Sequence, residues 1–445
     1  MPVRSPVRAL AGALVLLGFV APVVGRPTII AQGAPERITL AEALDRSEAT
    51  TPSIIQAQGA LRSAELSVRT SKLQYIPQLS FPVGAAYNVS SGQSRLDPVT
   101  GQIIGGSVTN PSYSVGARAS LTLFDGFNRE RTLSAAEARE DAAVASITST
   151  IFQNRLTVTN AFFDALANEE LLKVSEAAVT RAQQQLAVAS ARLQSGAGQL
   201  TDSLSALVQA GQARQQLLNA QASLATAEAN LGRLVGEDHR VAAVDDSSFY
   251  VQPVLLDTAG VRIEAIAASP AVQTSEANLE AARQQLRASK SGYWPTVTAS
   301  ASSDWTANKF NDYSLEPRRN FLLQMSFSPW SNLQRETQVE NASIALDNQI
   351  AQVADQKRQI SAQMTQQFAS LGNARESIDV AQLSVGAAAE NVRITEQRYR
   401  LGVATIFDLL QAQEQLTSAQ VSEIQARYSY LRAKSQIEAL IGRRL

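Results

Sequence analysis

The chain has 445 residues, a formal net charge of −1 at pH 7, 45% hydrophobic and 6% aromatic residues, one histidine and no cysteine. Near-neutral charge gives no electrostatic case for nucleic acid, and the lack of cysteine excludes a disulfide framework, a thiolate metal site and a lipid-bearing cysteine. His239 cannot assemble a metal centre alone, and no phosphate loop, nucleophile elbow or spaced carboxylate pair occurs, so neither an enzyme nor a cofactor is expected.

Residues 1–25 have the pattern of a secretory signal: Arg4 and Arg8, the apolar run Ala9–Val24, then small residues at Ala21 and Gly25. Cleavage is expected between 25 and 34. The run is too short and too interrupted by Gly12, Gly18 and Pro22 for a spanning helix, and no other stretch is a candidate.

From there the chain repeats itself. Arg129-Glu130 recurs as Arg335-Glu336, an offset of 206 (335 − 129), which also carries Arg192, Gly196 and Asp202 onto Arg398, Gly402 and Asp408. Upstream the offset is 218 (293 − 75), matching Ser71-Lys72, Tyr75 and Pro77 with Ser289-Lys290, Tyr293 and Pro295. A duplication this long is a supersecondary unit used twice, not a short solenoid repeat. Repeat 1 is expected over 36–236 as a helix, a β-hairpin at 78–124 and a long helical hairpin at 129–235. A linker follows at 237–260. Repeat 2 covers 261–442, with its hairpin at 296–327 and its helical hairpin at 332–441.

The helical hairpins follow from where breakers are missing. No proline lies between Pro111 and Pro253 or after Pro329, and an interior proline costs a helix about 3 kcal/mol. Residues 129–194 lack glycine too, so a helix on the order of 100 Å is expected. Apolar residues recur at sevens, as Leu172, Val179, Leu186 and Leu193, then Ile378, Val385, Val392 and Tyr399, which predicts left-handed packing of long helices.

The hairpins have period two. Val297, Ala299, Ala301 and Trp305 alternate with Thr298, Ser300, Ser302 and Asp304; Leu79, Val83 and Tyr87, and then Val115, Ala119 and Leu121, continue the apolar side in repeat 1. All three tryptophans, Trp294, Trp305 and Trp330, lie in or beside the second hairpin, and Tyr75, Tyr293, Phe124 and Phe127 cluster at strand–helix junctions. Such strands with aromatic ends fit a transmembrane β-barrel or a half-buried antiparallel sheet. Four strands cannot close a membrane barrel; three chains would supply twelve.

The chain resembles the outer membrane efflux protein family, the TolC-like channel-tunnels. The resemblance rests on Arg192-Leu-Gln-Ser-Gly196 with Asp202 and on Arg398-Tyr-Arg-Leu-Gly402 with Asp408-Leu-Leu-Gln-Ala. Leu123-Phe124-Asp125-Gly126, Ile76-Pro77, Trp294-Pro295 and Ile38-Thr-Leu-Ala-Glu-Ala-Leu44 support it. It implies a mainly α protein with a β part: a homotrimer whose long α-helical barrel extends through the periplasm below a twelve-stranded barrel in outer-membrane lipid. It further implies an exit duct for small molecules or proteins, fed by an inner-membrane transporter of RND, ABC or MFS type through a periplasmic adaptor (membrane fusion protein). By the same resemblance, the turns carrying Arg192, Gly196, Arg398 and Gly402 contact the adaptor. Asp202, Asp408 and Tyr399 narrow the periplasmic end; Gln411 and Ala404 stand where some members have aspartate and arginine. Tyr75, Phe124, Phe127, Tyr293, Trp294 and Trp330 mark the membrane interface. A periplasmic coiled-coil adaptor or scaffold without a barrel is the alternative. For Asp408 a local role also stands open, because Thr405 three residues earlier has the spacing of a capping box.

Overall fold

A computed structural model describes residues 35–90, 95–96, 98–101, 103–104, 108–246, 249, 258–307 and 316–443. The expected signal at 1–25, residues 308–315 of the second hairpin and parts of 91–107 of the first lie outside the described residues.

The duplication is visible in element lengths. In repeat 1, α3 (Asn128–Gln194) has 67 residues and α4 (Leu200–Val235) has 36; in repeat 2, α7 (Gln334–Arg400) and α8 (Ile406–Ile441) have 67 and 36. At 1.5 Å per residue the longer pair spans about 100 Å each. The residues at sevens are buried or half-buried throughout, as packing of one helix stripe against another requires.

The single helix expected before each hairpin is two helices. In repeat 1, α1 (Leu40–Thr50) and α2 (Pro52–Leu73) part at Thr51-Pro52; in repeat 2, α5 (Thr258–Ala268) and α6 (Pro270–Ser289) part at Ser269-Pro270. The pyrrolidine ring disfavours α geometry in the preceding residue and suits the first helical position. Thr51 is extended accordingly, with φ −69° and ψ 122°. The linker also holds structure: β7 (Val241–Ala243) pairs in parallel with β1 (Glu36–Ile38).

Two equivalent cores follow. The first joins Ala43 and Leu44 of α1, Val158, Phe162 and Leu166 of α3, Leu231 and Val235 of α4, and Tyr428 and Leu431 of α8. The second puts Val261, Ala265 and Val272 against Ile360 and Met364 of α7 and Ile437 and Ile441 of α8. Each fully buried large side chain contributes about 1.5–3 kcal/mol.

The strands form one antiparallel sheet: β2 (Gln78–Ser80) and β3 (Val83–Ser90) both pair with β6 (Val108–Phe124), which pairs with β8 (Thr296–Ala307), which pairs with β9 (Glu316–Ser326). Four strand positions per chain are thus present, the first broken at Phe81-Pro82, since proline has no ladder donor. The register nevertheless continues across the break, and the Pro82 carbonyl still accepts from Gly116 N at 2.9 Å. A short pair, β4 (Arg95–Leu96) with β5 (Ile103–Ile104), lies between β3 and β6.

Candidate functional site

The residues singled out in the sequence fall in three places: the turns at one end of the long helices, the two faces of the sheet and the strand–helix junctions.

The helical turns occupy 195–199 and 401–405. Each starts with a Schellman arrangement: Gly196 N donates to Leu193 O at 3.1 Å and Ala197 N to Arg192 O at 2.9 Å, and Gly402 N and Val403 N repeat this to Tyr399 O and Arg398 O at the same distances. Gly196 and Gly402 have φ of 75° and 78°, a region where a side chain costs energy and glycine does not.

The two motif arginines differ in their surroundings. Arg192 Nη2 donates to Tyr399 O at 3.1 Å and to Arg400 O at 3.0 Å, and its guanidinium carbon lies 4.5 Å from the centroid of the Tyr399 ring. It therefore satisfies terminal carbonyls of α7, where a cation is favoured by the helix dipole. Tyr399, only 4% exposed, packs with Ile406 and Leu409; within a single chain it is a core residue of the turn. Arg398, at the position equivalent to Arg192, is exposed, and its guanidinium has no hydrogen bond or ion pair among the described residues.

The aspartates differ as well. Thr405 N and Oγ1 donate to Asp408 Oδ2 at 2.9 and 2.8 Å, and Asp408 N donates to Thr405 Oγ1 at 3.2 Å. That is a capping box, so Asp408 has the local role. The Thr405 backbone N–H, then its hydroxyl, hold the Asp408 carboxyl below the usual carboxylate range. At the first turn Gln199 makes no side-chain cap, and half-buried Asp202 stays out of capping. Gln411 is exposed one turn beyond Asp408.

On the sheet, the register lines up the alternation of all strands. One face carries Leu79, Ala119, Ala301 and Phe321 in a row, then Leu121, Ala299 and Leu323, and Phe124, Val297 and Met325. The opposite face carries Ser80, Arg118, Ser302 and Asn320, then Thr122, Thr298 and Gln324. Leu322 and Arg319 are exceptions, Leu322 on the polar side and Arg319 on the apolar side near the distal end. Arg118 and Asp304 form an ion pair at 3.6 Å on the polar face, with Arg318 opposite Asp304. This charged group was present in the sequence as charges on the polar side of the alternation; only the register brought them together.

At the strand–helix junctions the expected aromatics gather with two arginines that sequence reasoning had used only to align the repeats. Arg129 lies 5.0 Å from the Tyr75 centroid and Arg335 4.2 Å from that of Tyr293. Arg129 also bonds Asp125 Oδ2 at 3.0 Å and Leu123 O at 3.2 Å, and Arg335 reaches the carbonyls of Ser328 and Pro329. Phe124 and Phe127 meet edge to face at 5.7 Å, while Phe127, Tyr293, Trp294 and Trp330 stay exposed. No group that could hold a metal occurs among the described residues.

A family profile described as "Outer membrane efflux protein" matches residues 43–237 and 261–443. Outer membrane efflux protein BepC of Brucella suis is 24% identical over 430 residues, covering 94% of this chain and 88% of that protein. Pyoverdine export outer membrane protein OpmQ of Pseudomonas aeruginosa is 23% identical, covering 92% and 85%. Among solved structures, CusC superposes with a TM-score of 0.78 at 15% identity, covering 91% of this chain and 92% of that one. VceC of Vibrio cholerae gives 0.74 at 17%, covering 91% and 96%. At these identities the structural likeness establishes the fold.

Proposed function

Because the chain belongs to the outer membrane efflux protein family, we propose that it is the exit duct of a tripartite efflux or type I secretion system, passing cargo handed over by an inner-membrane pump through a periplasmic adaptor. The observation that carries this is the sheet: a mostly apolar face whose large residues on the outer strands, Leu79, Val83, Tyr87, Phe321, Leu323 and Met325, are exposed, a mostly polar face behind it, and two open edges, β2/β3 and β9. A soluble sheet with that much exposed apolar area would aggregate; lipid on one face and water on the other satisfies both. No helix among the described residues is long and apolar enough to cross a membrane, so the strands are the membrane part. Three copies supply twelve strands, and the long helices continue the duct on the periplasmic side. The turns at 195–199 and 401–405 are the adaptor contacts, and Asp202 lines the narrow end.

A periplasmic adaptor or scaffold has no use for the apolar sheet face, which favours the duct. The test is fractionation followed by reconstitution. A duct is recovered in the outer-membrane fraction as a trimer in detergent and gives steady conductance in planar bilayers, and crosslinking at Ser195 or Val403 captures the adaptor. A soluble periplasmic monomer without conductance refutes it.

A further inference from the structure

We infer that the apolar face of the sheet carries an acyl-chain trough, closed at its hairpin end by Arg319, and that this trough is a specific site for an anionic phosphate lipid of the outer leaflet. The inference rests on the duct reading, which turns this face to lipid, and adds which lipid the face selects.

The trough follows from side-chain size. On the apolar face the two inner strands carry small residues: Ala117 and Ala119 of β6 stand opposite Ser303 and Ala301 of β8, and Ala299 continues the row. The strands on either side carry large ones. Leu79 of β2 and Phe81 just after it are 66% and 74% exposed, and Phe321 and Leu323 of β9 are 82% and 68% exposed. The outer strands lie three strand spacings apart, about 14 Å, so the alanines form a floor between two apolar walls. Two hollows of about 420 and 220 Å³ lie along this floor and share Ala119, Ala301 and Phe321. A face of even height gives every lipid chain the same contact, whereas a trough touches one chain on three sides and gains dispersion energy from each.

Arg319 breaks the alternation at one end of that trough. It pairs with Ser303 on the apolar side, is exposed, and makes no hydrogen bond or ion pair among the described residues. With Phe81, Ala301 and Phe321 it lines the smaller hollow. It does not mark the end of the apolar face, because a further row, Val115, Trp305 and Pro317, lies beyond it. Arg319 therefore stands one pleat repeat, about 7 Å, inside Trp305, an aromatic of the kind that gathers at a membrane interface. An arginine on a lipid face costs more with depth. From this position the stem covers apolar surface while the guanidinium reaches back to the interface, where its planar fork matches a phosphate. The strand itself does not demand a cation, since the equivalent position in repeat 1 (319 − 206) is Tyr113. Nor does Arg319 share the charge of its neighbours: Arg118 and Arg318 lie on the polar face with Asp304. All four strand–helix junctions lie at the other end of the sheet, so the hairpin end points to the outer leaflet. A lipid whose phosphate meets Arg319 runs its chain along the alanine floor towards Ala299.

The chain has three tryptophans, so Trp294→Phe with Trp330→Phe leaves Trp305, beside Arg319, as the reporter. In phosphatidylcholine vesicles, phosphatidylglycerol with brominated chains is expected to quench Trp305 at about tenfold lower mole fraction than brominated diacylglycerol, the advantage of one charge-assisted headgroup contact. Arg319→Gln is expected to abolish that advantage, Arg319→Lys to keep part of it, and Arg318→Gln, one residue away on the polar face, to retain it. Ala301→Leu, which raises the floor, is expected to weaken quenching by both lipids; undiminished quenching there overturns the trough. Equal quenching by the two lipids in the parent chain overturns the inference, and this comparison needs no variant at Arg319 to fold. A preference that survives Arg319→Gln overturns it as well, as does one abolished by added glycerol phosphate, which would make this a site for free phosphate. Any of these results in conducting channels leaves the duct reading standing; a chain that neither inserts nor conducts removes both.

Discussion

Replacing Arg192 by alanine removes two charge-assisted hydrogen bonds, to Tyr399 O at 3.1 Å and Arg400 O at 3.0 Å, and a cation–π contact at 4.5 Å. Each such bond contributes roughly 1.5–3 kcal/mol when its partner stays dry, and an exposed cation–π contact about 0.5–1 kcal/mol. The Arg400 carbonyl lies at an exposed helix end where water replaces the lost donor, and Tyr399 O keeps its bond from Gly402 N at 3.1 Å. The net loss is therefore near the low end, about 2 kcal/mol, equivalent to roughly a 30-fold rise in local opening. It is confined to the second turn and its small cluster of Tyr399, Ile406 and Leu409, because the two large cores, with Val158 to Leu166 of α3, Ile360 and Met364 of α7 and Tyr428 to Ile441 of α8, lie many helical turns away. Hydrogen exchange of amides 398–409 measures it: about 30-fold faster exchange there, with residues 158–166 unchanged. Arg192→Lys keeps the charge but not the planar fork and falls between. Unchanged exchange at 398–409 in Arg192→Ala would show that the bonds are replaced by water without cost and would refute the proposed clamp.

On the sheet, Ala299→Arg places a charge among Leu121 and Leu323 on the apolar face and should impair insertion by about 2–4 kcal/mol near the midplane, whereas Ser300→Arg on the polar face inserts normally and alters conductance; folding into vesicles under denaturant measures both. For Asp408, the depressed folded pKa means that its contribution is present at neutral pH and lost as the pH falls through and below the ordinary aspartate range. Exchange at the start of α8 should therefore rise on acidification, while the start of α4, where Gln199 makes no cap, responds less. Asp202→Asn should lower cation selectivity in planar bilayers without fraying a helix, and Asp408→Asn should fray α8 with little change in selectivity; the reverse pattern would exchange the two roles. Arg335→Ala, which loses the Tyr293 ring and the Ser328 and Pro329 carbonyls, should speed proteolysis at 328–335, as read by limited digestion.

Much of this protein is written in local sequence. Two 67-residue helices follow from long stretches free of proline, their ends from glycines that tolerate positive φ, and the strand faces from period two, because each depends on residues within a few positions of one another. The breaks at Thr51-Pro52 and Phe81-Pro82 were legible too, through the same proline chemistry, although a single helix and an unbroken strand were expected. Tertiary structure alone decided what the duplicated motifs touch. Arg192 and Arg398 sit in nearly the same local sequence and the same Schellman turn, yet one has carbonyls and an aromatic ring to hold and the other lies exposed. The difference between Asp202 and Asp408, by contrast, is local: Thr405 stands at the N-cap three residues before Asp408, where Gln199 stands before Asp202. For the arginines local sequence does not discriminate, because the partners of Arg192 are supplied by a segment 207 and 208 residues away. Which of them come within about 3 Å is set by how α3 packs against α8 and β6 against β8, and no window along the chain contains that contact.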